Sequence, residues 1–376
     1  MGFNCGIVGL PNVGKSTLFN ALTKSRAAQA ANYAFCTIEP NVGRVAVPDP
    51  RLAQLAELAS PQKVVPAAIE FVDIAGLVAG ASAGEGLGNK FLAHIREVDA
   101  IAHVARAFDD RAVTHVNDAV DPAADIGIVN TELILADLDT AARAQQRAAT
   151  HSKSGDKQQI RLRDLLAEVI QHLDAGAPLR SMPLDEAQRL LLKPCCFLTA
   201  KPTLYIANVG EDAAGDDGDG DGENNGGGNP HLTAIEKIAA AENAQVVAIC
   251  ANLEQEISEL AADEAAQFLT DLGIAEPGLN RVIRAGYALL GLHTFFTAGP
   301  KEVRAWTVAV GTCAPAAAGV IHSDFEKGFI RAETTAFDDY LAHRGETGAR
   351  EAGKLRLEGK DYVVQDGDVM HFRFNV

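Results

Sequence analysis

The sequence is poor in the residues that mark several protein classes. One tryptophan and three methionines stand among 376 residues, and aromatics make up only 6%. The six cysteines (Cys5, Cys36, Cys195, Cys196, Cys250 and Cys313) fall in no paired C-x-x-C spacing, which argues against a zinc site and against a disulfide framework. Cys195 and Cys196 are adjacent, which leaves redox sensing open there beside the expectation of buried free thiols. No apolar run reaches the length of a membrane span, and the amino terminus reads as a strand rather than a signal peptide. No membrane association is expected, and the cytoplasm is the default location. Positive charge is scarce: 33 Lys and Arg face 50 Asp and Glu, a net charge of −17. That opposes broad non-specific binding to nucleic acid but leaves room for a local basic patch. The remainder, 47% hydrophobic and 22% charged, is ordinary for a globular protein, at a length that suits two or three domains.

What the sequence does contain is concentrated near its start. Gly9-Leu-Pro-Asn-Val-Gly14-Lys15-Ser16-Thr17 has the G-x-x-x-x-G-K-[ST] pattern of a P-loop. The apolar run Cys5-Gly-Ile-Val8 before it predicts a buried strand, and Thr17 to Leu22 after it predicts a helix. Glycines let the backbone wrap a phosphate, and the amides of Val13, Gly14, Lys15, Ser16 and Thr17 at a helix N-terminus direct positive ends towards it. Lys15 would reach the β- and γ-phosphates, and the Ser16 hydroxyl would hold Mg2+. Asn12 would help to hold a monovalent cation such as K+ beside the phosphates, or simply cap the loop.

The following segments fit the same order of parts. Residues 26–42 lack periodicity and are read as a mobile loop, in which Thr37 would complete the Mg2+ shell when a γ-phosphate is present, as a first switch. Ala68 to Val72 predicts a strand ending in Asp73-Ile-Ala-Gly76; Asp73 would make the second Mg2+ contact and the Gly76 amide would meet the γ-phosphate. The glycine-rich stretch 80–88 would be a second switch. Leu77 stands where many GTPases carry a glutamine that orients the attacking water. A leucine cannot do so, and hydrolysis must be slow or use another group.

A change of pattern follows. Ile126, Val129, Leu133, Ala136 and Thr140, and then Leu162, Leu165, Leu166, Val169, Ile170 and Leu173, recur at helical spacing around a turn at 150–156. This predicts an antiparallel helical hairpin projecting from the main domain. Arg143, Arg147, Lys153, Lys157, Arg161 and Arg163 gather at its tip, a candidate contact with RNA phosphates in an otherwise acidic chain. Strand character returns before Asn208-Val-Gly-Glu211, where guanine-binding proteins have N-K-x-D. A short Asp accepts guanine N1–H and its amino group; here a longer Glu211 follows a glycine, and Val209 replaces the lysine whose stem covers the base. Asn208 can still pair with the N6/N7 edge of adenine, and an amide near residue 251, that of Ala251, would face the base. ATP is therefore expected to be preferred over GTP, or at least accepted. Residues 212–229 are acidic and glycine-rich and are expected to be disordered. From residue 291 onward, short strands predict a separate small α+β domain.

The ordered set Gly9-x4-Gly14-Lys15-Ser16, Thr37, Asp73-x-x-Gly76-Leu77, helical insert and Asn208-x-x-Glu211 is followed by Lys301-Glu-Val-Arg-Ala-Trp-Thr, Asp324-Phe-Glu-Lys-Gly-Phe-Ile-Arg and Asp366-Gly-Asp-Val-Met-His-Phe-Arg-Phe. Over essentially its whole length the chain resembles the YchF / Obg-like ATPase family of P-loop NTPases. The resemblance implies an α/β, Ras-like P-loop domain (1–120 and 196–290), an inserted hairpin (121–195) and a ubiquitin-like β-grasp TGS domain (291–376). It also implies ATP hydrolysis in preference to GTP without the catalytic glutamine, ribosome association through large-subunit RNA or proteins, and a link to translation and stress responses. A monomer is expected. The acidic segment 212–228 looks longer than the family usually shows.

Overall fold

A computed structural model describes residues 3–29, 41–74, 87–109, 120–153, 155–211 and 229–375. The chain divides into two compact units, residues 1–43 with 70–286, and residues 44–69 with 287–376. In chain order the elements are β1 (Asn4–Val8), α1 (Lys15–Gln29), β2 (Val42–Ala46), α2 (Pro50–Ala59), β3 (Lys63–Val65), β4 (Ala68–Asp73), α3 (Leu87–Glu97) and β5 (Ala100–Arg106). Then come α4 (Pro122–Ser152), α5 (Lys157–Asp174), α6 (Glu186–Leu192), β6 (Thr203–Asn208), α7 (Pro230–Ala241), β7 (Gln245–Ile249), α8 (Ala251–Glu259), α9 (Ala262–Asp271) and α10 (Gly278–Leu289). The chain closes with β8 (Leu292–Ala298), β9 (Glu302–Ala309), α11 (Ala314–Ile321), α12 (Ser323–Lys327), β10 (Phe329–Ala336), α13 (Phe337–Ala342), α14 (Glu346–Glu351), β11 (Arg356–Glu358) and β12 (Asp368–Phe374).

The first unit is built on a sheet of order β2-β4-β1-β5-β6-β7. Strands β4, β1, β5, β6 and β7 pair in parallel. Parallel strands covered on both faces read as continuous apolar runs, and β5 and β6 are buried at every position. This is the mixed α/β architecture expected from the alternation of strands and helices. The hairpin is also present. Pro122 opens α4 behind the cap of Asp121, which accepts from the amides of Ala123 and Ala124; Asp156 caps α5 through Gln158 and Gln159. Ile134, Ala141, Leu165, Leu166, Val169 and Leu173 form its core.

The foot of the hairpin is fixed by buried polar groups. The Asp137 carboxylate, 1% exposed, accepts from Leu198 N (2.8 Å), Thr199 N (2.7 Å) and Thr199 Oγ1 (2.7 Å). Burial raises its pKa, and these three donors oppose the rise. Arg180 donates to Glu242 Oε2 (2.8 Å) and to Asn130 Oδ1 (2.9 Å), while the Tyr205 hydroxyl donates to Glu242 Oε2 (2.7 Å). These groups bind α4 to β6 and to the end of α7.

The second unit has a sheet of order β11-β10-β12-β8-β9-β3. Its core of Phe295, Val308, Ala317, Ala318, Ala332, Met370 and Phe372 packs α11 against the sheet. Residues 44–69 fold here, although the sequence reading ran the nucleotide domain through them to residue 120. Strand β3 pairs in parallel with β9, Lys63 beside Glu302, and the Arg51 guanidinium reaches Asp366 at 2.6 Å. Local pattern carries no trace of such pairing over more than two hundred residues. Helices α8 and α9 are separate, parted at Leu260 and Ala261.

Candidate functional site

The loop between β1 and α1 takes the shape that its glycines permit. Gly9 and Gly14 have φ of 152° and 101°, and Asn12 sits in the left-handed region at 62°. A Cβ at Gly14 would lie 2.3 Å from Asn208 Nδ2, so only glycine lets the loop approach β6 this closely. Leu18 N donates to Gly14 O at 2.9 Å, so helical bonding starts at once and the first amides of α1 open towards the loop. Ser16 is exposed there, Asn12 is exposed, and Val13 is buried.

Lys15 folds back beneath the loop. Its Nζ donates to Leu10 O at 2.6 Å and the residue is 8% exposed. Burial lowers its pKa from 10.5 to about 8, and the nearby Asp73 charge opposes that shift. Asp73 ends β4 opposite Ile7, with its own amide bonded to Asn41 O at 2.8 Å. Burial raises the Asp73 pKa, and Lys15 counteracts it. The strand order thus brings cation and carboxylate to one end of the sheet from positions 58 residues apart, 73 minus 15. A hydroxyl at Ser16 and a carboxylate at Asp73 are hard oxygen donors of the kind that Mg2+ takes, and the residues present fit that ion.

One consequence is a pH dependence with a defined sign. Unliganded, Lys15 loses its proton above about pH 8. Against polyphosphate oxygens the ammonium is favoured and keeps it. Binding must then take up a proton above pH 8, and affinity should be flat below that pH and fall up to about tenfold per unit above it. Calorimetry with tripolyphosphate or a nucleoside triphosphate at pH 7, 8 and 9, in two buffers of different ionisation enthalpy, measures both. Unchanged affinity to pH 9.5 would refute it.

Asn208 closes the other side of the loop. It is 5% exposed; its Nδ2 donates to Val13 O at 2.9 Å and its Oδ1 accepts from Ala251 N at 3.0 Å. Ala251 N–H is therefore turned inwards on Asn208 instead of outwards to a base. Val209 also differs from the sequence expectation. Its side chain is 2% exposed and packs with Ala107, Tyr205 and Ile235, and its amide bonds Ile249 O at 2.8 Å. An apolar valine sinks into the core where a lysine stem would extend. Glu211 is exposed. Sequence reasoning missed the Leu10 carbonyl as the partner of Lys15 and missed Glu254, whose buried carboxylate accepts from Gly278 N and Leu279 N at the start of α10. No local motif marks either.

Thr37, Gly76, Leu77, most of the stretch 80–88 and the acidic segment 212–228 lie outside the described residues. At the far end of the hairpin Arg143 pairs with Asp139 and Arg163 with Asp164. Arg147, Lys153, Lys157 and Arg161 are exposed. Among the described residues no helix is long and apolar enough to cross a membrane.

Comparison with known proteins agrees with this geometry. Residues 4–135 match the family model described as 50S ribosome-binding GTPase, and residues 292–375 match the carboxy-terminal model of YchF GTPases, described as a protein of unknown function. The chain is 61% identical over 376 residues to a protein of Haemophilus ducreyi and 55% identical to one of Bacillus subtilis, each covered completely and each called ribosome-binding ATPase YchF. The solved structure of the Schizosaccharomyces pombe YchF GTPase superposes with a TM-score of 0.87 at 35% identity, over 99% of this chain and 98% of that one.

Proposed function

The chain belongs to the YchF family, and on that premise we propose that it is a ribosome-associated ATPase working as a nucleotide-dependent switch. The observation that carries the reading is the convergence of Lys15 and Asp73 beneath a glycine loop at a helix N-terminus. In this reading Lys15 releases Leu10 O and takes the β/γ-phosphate oxygens, while the amides of residues 13–17 hold the remaining charge. Ser16, Thr37 and Asp73 would hold Mg2+, which supplies charge neutralisation between phosphate oxygens when bound. Gly76 would report the γ-phosphate, and Asn12 would sit beside a monovalent cation such as K+. Asn208 positions the loop through Val13 and is itself oriented by Ala251, and one Nδ2 hydrogen remains for a base edge.

ATP is the nucleotide we assign. Guanine selection needs a fixed short carboxylate and a covering stem; here an exposed Glu211 and a buried Val209 occupy those positions. The match to a GTPase model favours one other reading, a GTPase with a degenerate base pocket. Calorimetry with ATP, ADP, GTP and GDP in the presence of Mg2+ separates them. ATP should bind at least about tenfold more tightly than GTP, a difference of about 1.4 kcal/mol. A preference for GTP would defeat the assignment. We assign ribosome contact to the hairpin tip, through Arg147, Lys153, Lys157 and Arg161, and to the carboxy-terminal unit as a TGS domain, in a monomeric cytoplasmic protein.

A further inference from the structure

The turn that precedes β6 holds more than the foot of the hairpin. Lys201 N donates to Leu198 O at 3.2 Å, which closes a four-residue turn over 198–201. Its first half, Leu198 and Thr199, supplies the donors to Asp137 of α4. Its last residue reaches the other way. The Lys201 ammonium donates to Arg96 O at 3.1 Å and to Val98 O. It thus sits on the carbonyl end of α3 (Leu87–Glu97), where a helix leaves its last carbonyls without donors of its own and where positive charge is favoured. Lys201 is half-buried; burial lowers its pKa, and the charges of Asp99 and Asp137 oppose that shift.

The residues that Lys201 holds lead to the stretch read as the second switch by two routes. The first is packing. Gly6 on β1 has no side chain, and a Cβ there would lie 2.6 Å from Ile74 Cδ1 and 3.0 Å from Val98 Cγ2. Ile74 and Val98, both buried, therefore fill the space that this glycine leaves open. Ile74 N is bonded to Ile7 O at 3.2 Å, and Ile74 stands between Asp73 and Ala75-Gly76. An interior packed this closely leaves Val98 little room to move without Ile74. The second route is the chain itself. Helix α3 is the next element after β4, so the segment that carries Gly76 is attached to Ile74 at one end and to α3 at the other. Phe91, Leu92 and Ile95 bury one face of that helix, and the Arg96 carbonyl held by Lys201 lies in its last turn.

We propose that Lys201 is a positioning residue for ATP hydrolysis: by holding the Arg96 and Val98 carbonyls it fixes both attachments of the segment that presents Gly76 to the γ-phosphate. The inference rests on the reading of Gly76 as the γ-phosphate contact. It adds to the reaction a side chain that stands 103 residues beyond Val98 in the chain and shares its turn with the foot of the hairpin. ADP has no γ-phosphate, and its binding does not draw on Lys201.

The test compares two variants of the full chain. Lys201→Met keeps the stem and loses the ammonium; Lys201→Arg keeps a cation that can donate to carbonyls. In Lys201→Met, kcat for ATP should fall about tenfold, well within the hundredfold or so that a displacement of about 1 Å can cause. KM for ATP, and the ADP affinity measured by calorimetry, should stay within about twofold of the parent. Lys201→Arg should recover most of the lost kcat. A cap that served stability alone would lower the urea midpoint and leave turnover per folded molecule at the parental value. If Lys201→Met does not fold, Lys201→Gln, which keeps one donor, takes its place in the same measurements. Parental kcat in the folded variant, a loss of ADP affinity as large as the loss of kcat, or no recovery in Lys201→Arg would each overturn the proposal. Lys15→Ala is measured beside them. If it is slow while Lys201→Met turns over at the parental rate, only this inference falls; if Lys15→Ala itself turns over at the parental rate, the reading of the phosphate site falls first.

Discussion

Replacing Lys15 by alanine is expected to reduce ATP turnover by about 10²–10³-fold while leaving the fold in place. The large effect follows from where the charge develops. Phosphoryl transfer leaves little covalent chemistry to the protein, and most of the acceleration comes from groups that meet the charge on the transferred phosphoryl. Among the described residues Lys15 is the one buried ammonium beneath the loop, within the field of Asp73. The small structural effect follows from the same burial. The ammonium is held out of water at a cost that lowers its pKa to about 8, and the bond it makes is to a single carbonyl, Leu10 O. Its removal takes away both the cost and the bond. Phosphate release under single-turnover conditions, beside a thermal unfolding scan, reads the two effects separately. Turnover within about threefold of the parent, in a folded variant, would remove Lys15 from the mechanism.

The second large effect is expected at Asn208. Alanine there leaves Val13 O and Ala251 N without their present partners and opens space against Gly14, which has no side chain to fill it. Two buried polar groups stripped of hydrogen bonds, at about 1–3 kcal/mol each, predict a loss of about 2–4 kcal/mol after partial relaxation. The urea midpoint of the parent and variant gives this directly. Affinity for ATP should fall at least about tenfold as well, because the loop then loses its brace on β6. If stability falls but affinity does not, Asn208 is only a packing residue.

The parts of the molecule that sequence revealed are those written in short stretches. The P-loop, the strand ending at Asp73 and the hairpin each depend on spacing within a few dozen residues, and each element is present in the structure. The proximity of Lys15 and Asp73 followed from the order of parts. What sequence obscured depends on pairing over long separations or on the absence of contrast. Residues 44–69 join the second sheet through β3 and β9, which no local pattern announces. Helix α11, with the sequence APAAAGVI, has no polar face to set its period. At Asn208 the residue type suits a base contact, whereas burial turns most of its amide inward. A side chain with two donors and an acceptor suits either use, and the sequence does not say which neighbour arrives first.

Helix α4 has one more consequence. Its bonds to the nucleotide unit gather at Asn130 and Asp137, and from Asp137 to Ser152 it continues for about 24 Å at 1.5 Å per residue. Asp137 accepts from Leu198 and Thr199, just ahead of β6, and that strand ends at Asn208, against the phosphate loop. The arrangement is a lever whose outer half carries the basic end. A turn of about five degrees near Asp137 sweeps the basic end through about 2 Å, enough to make or break a charged contact.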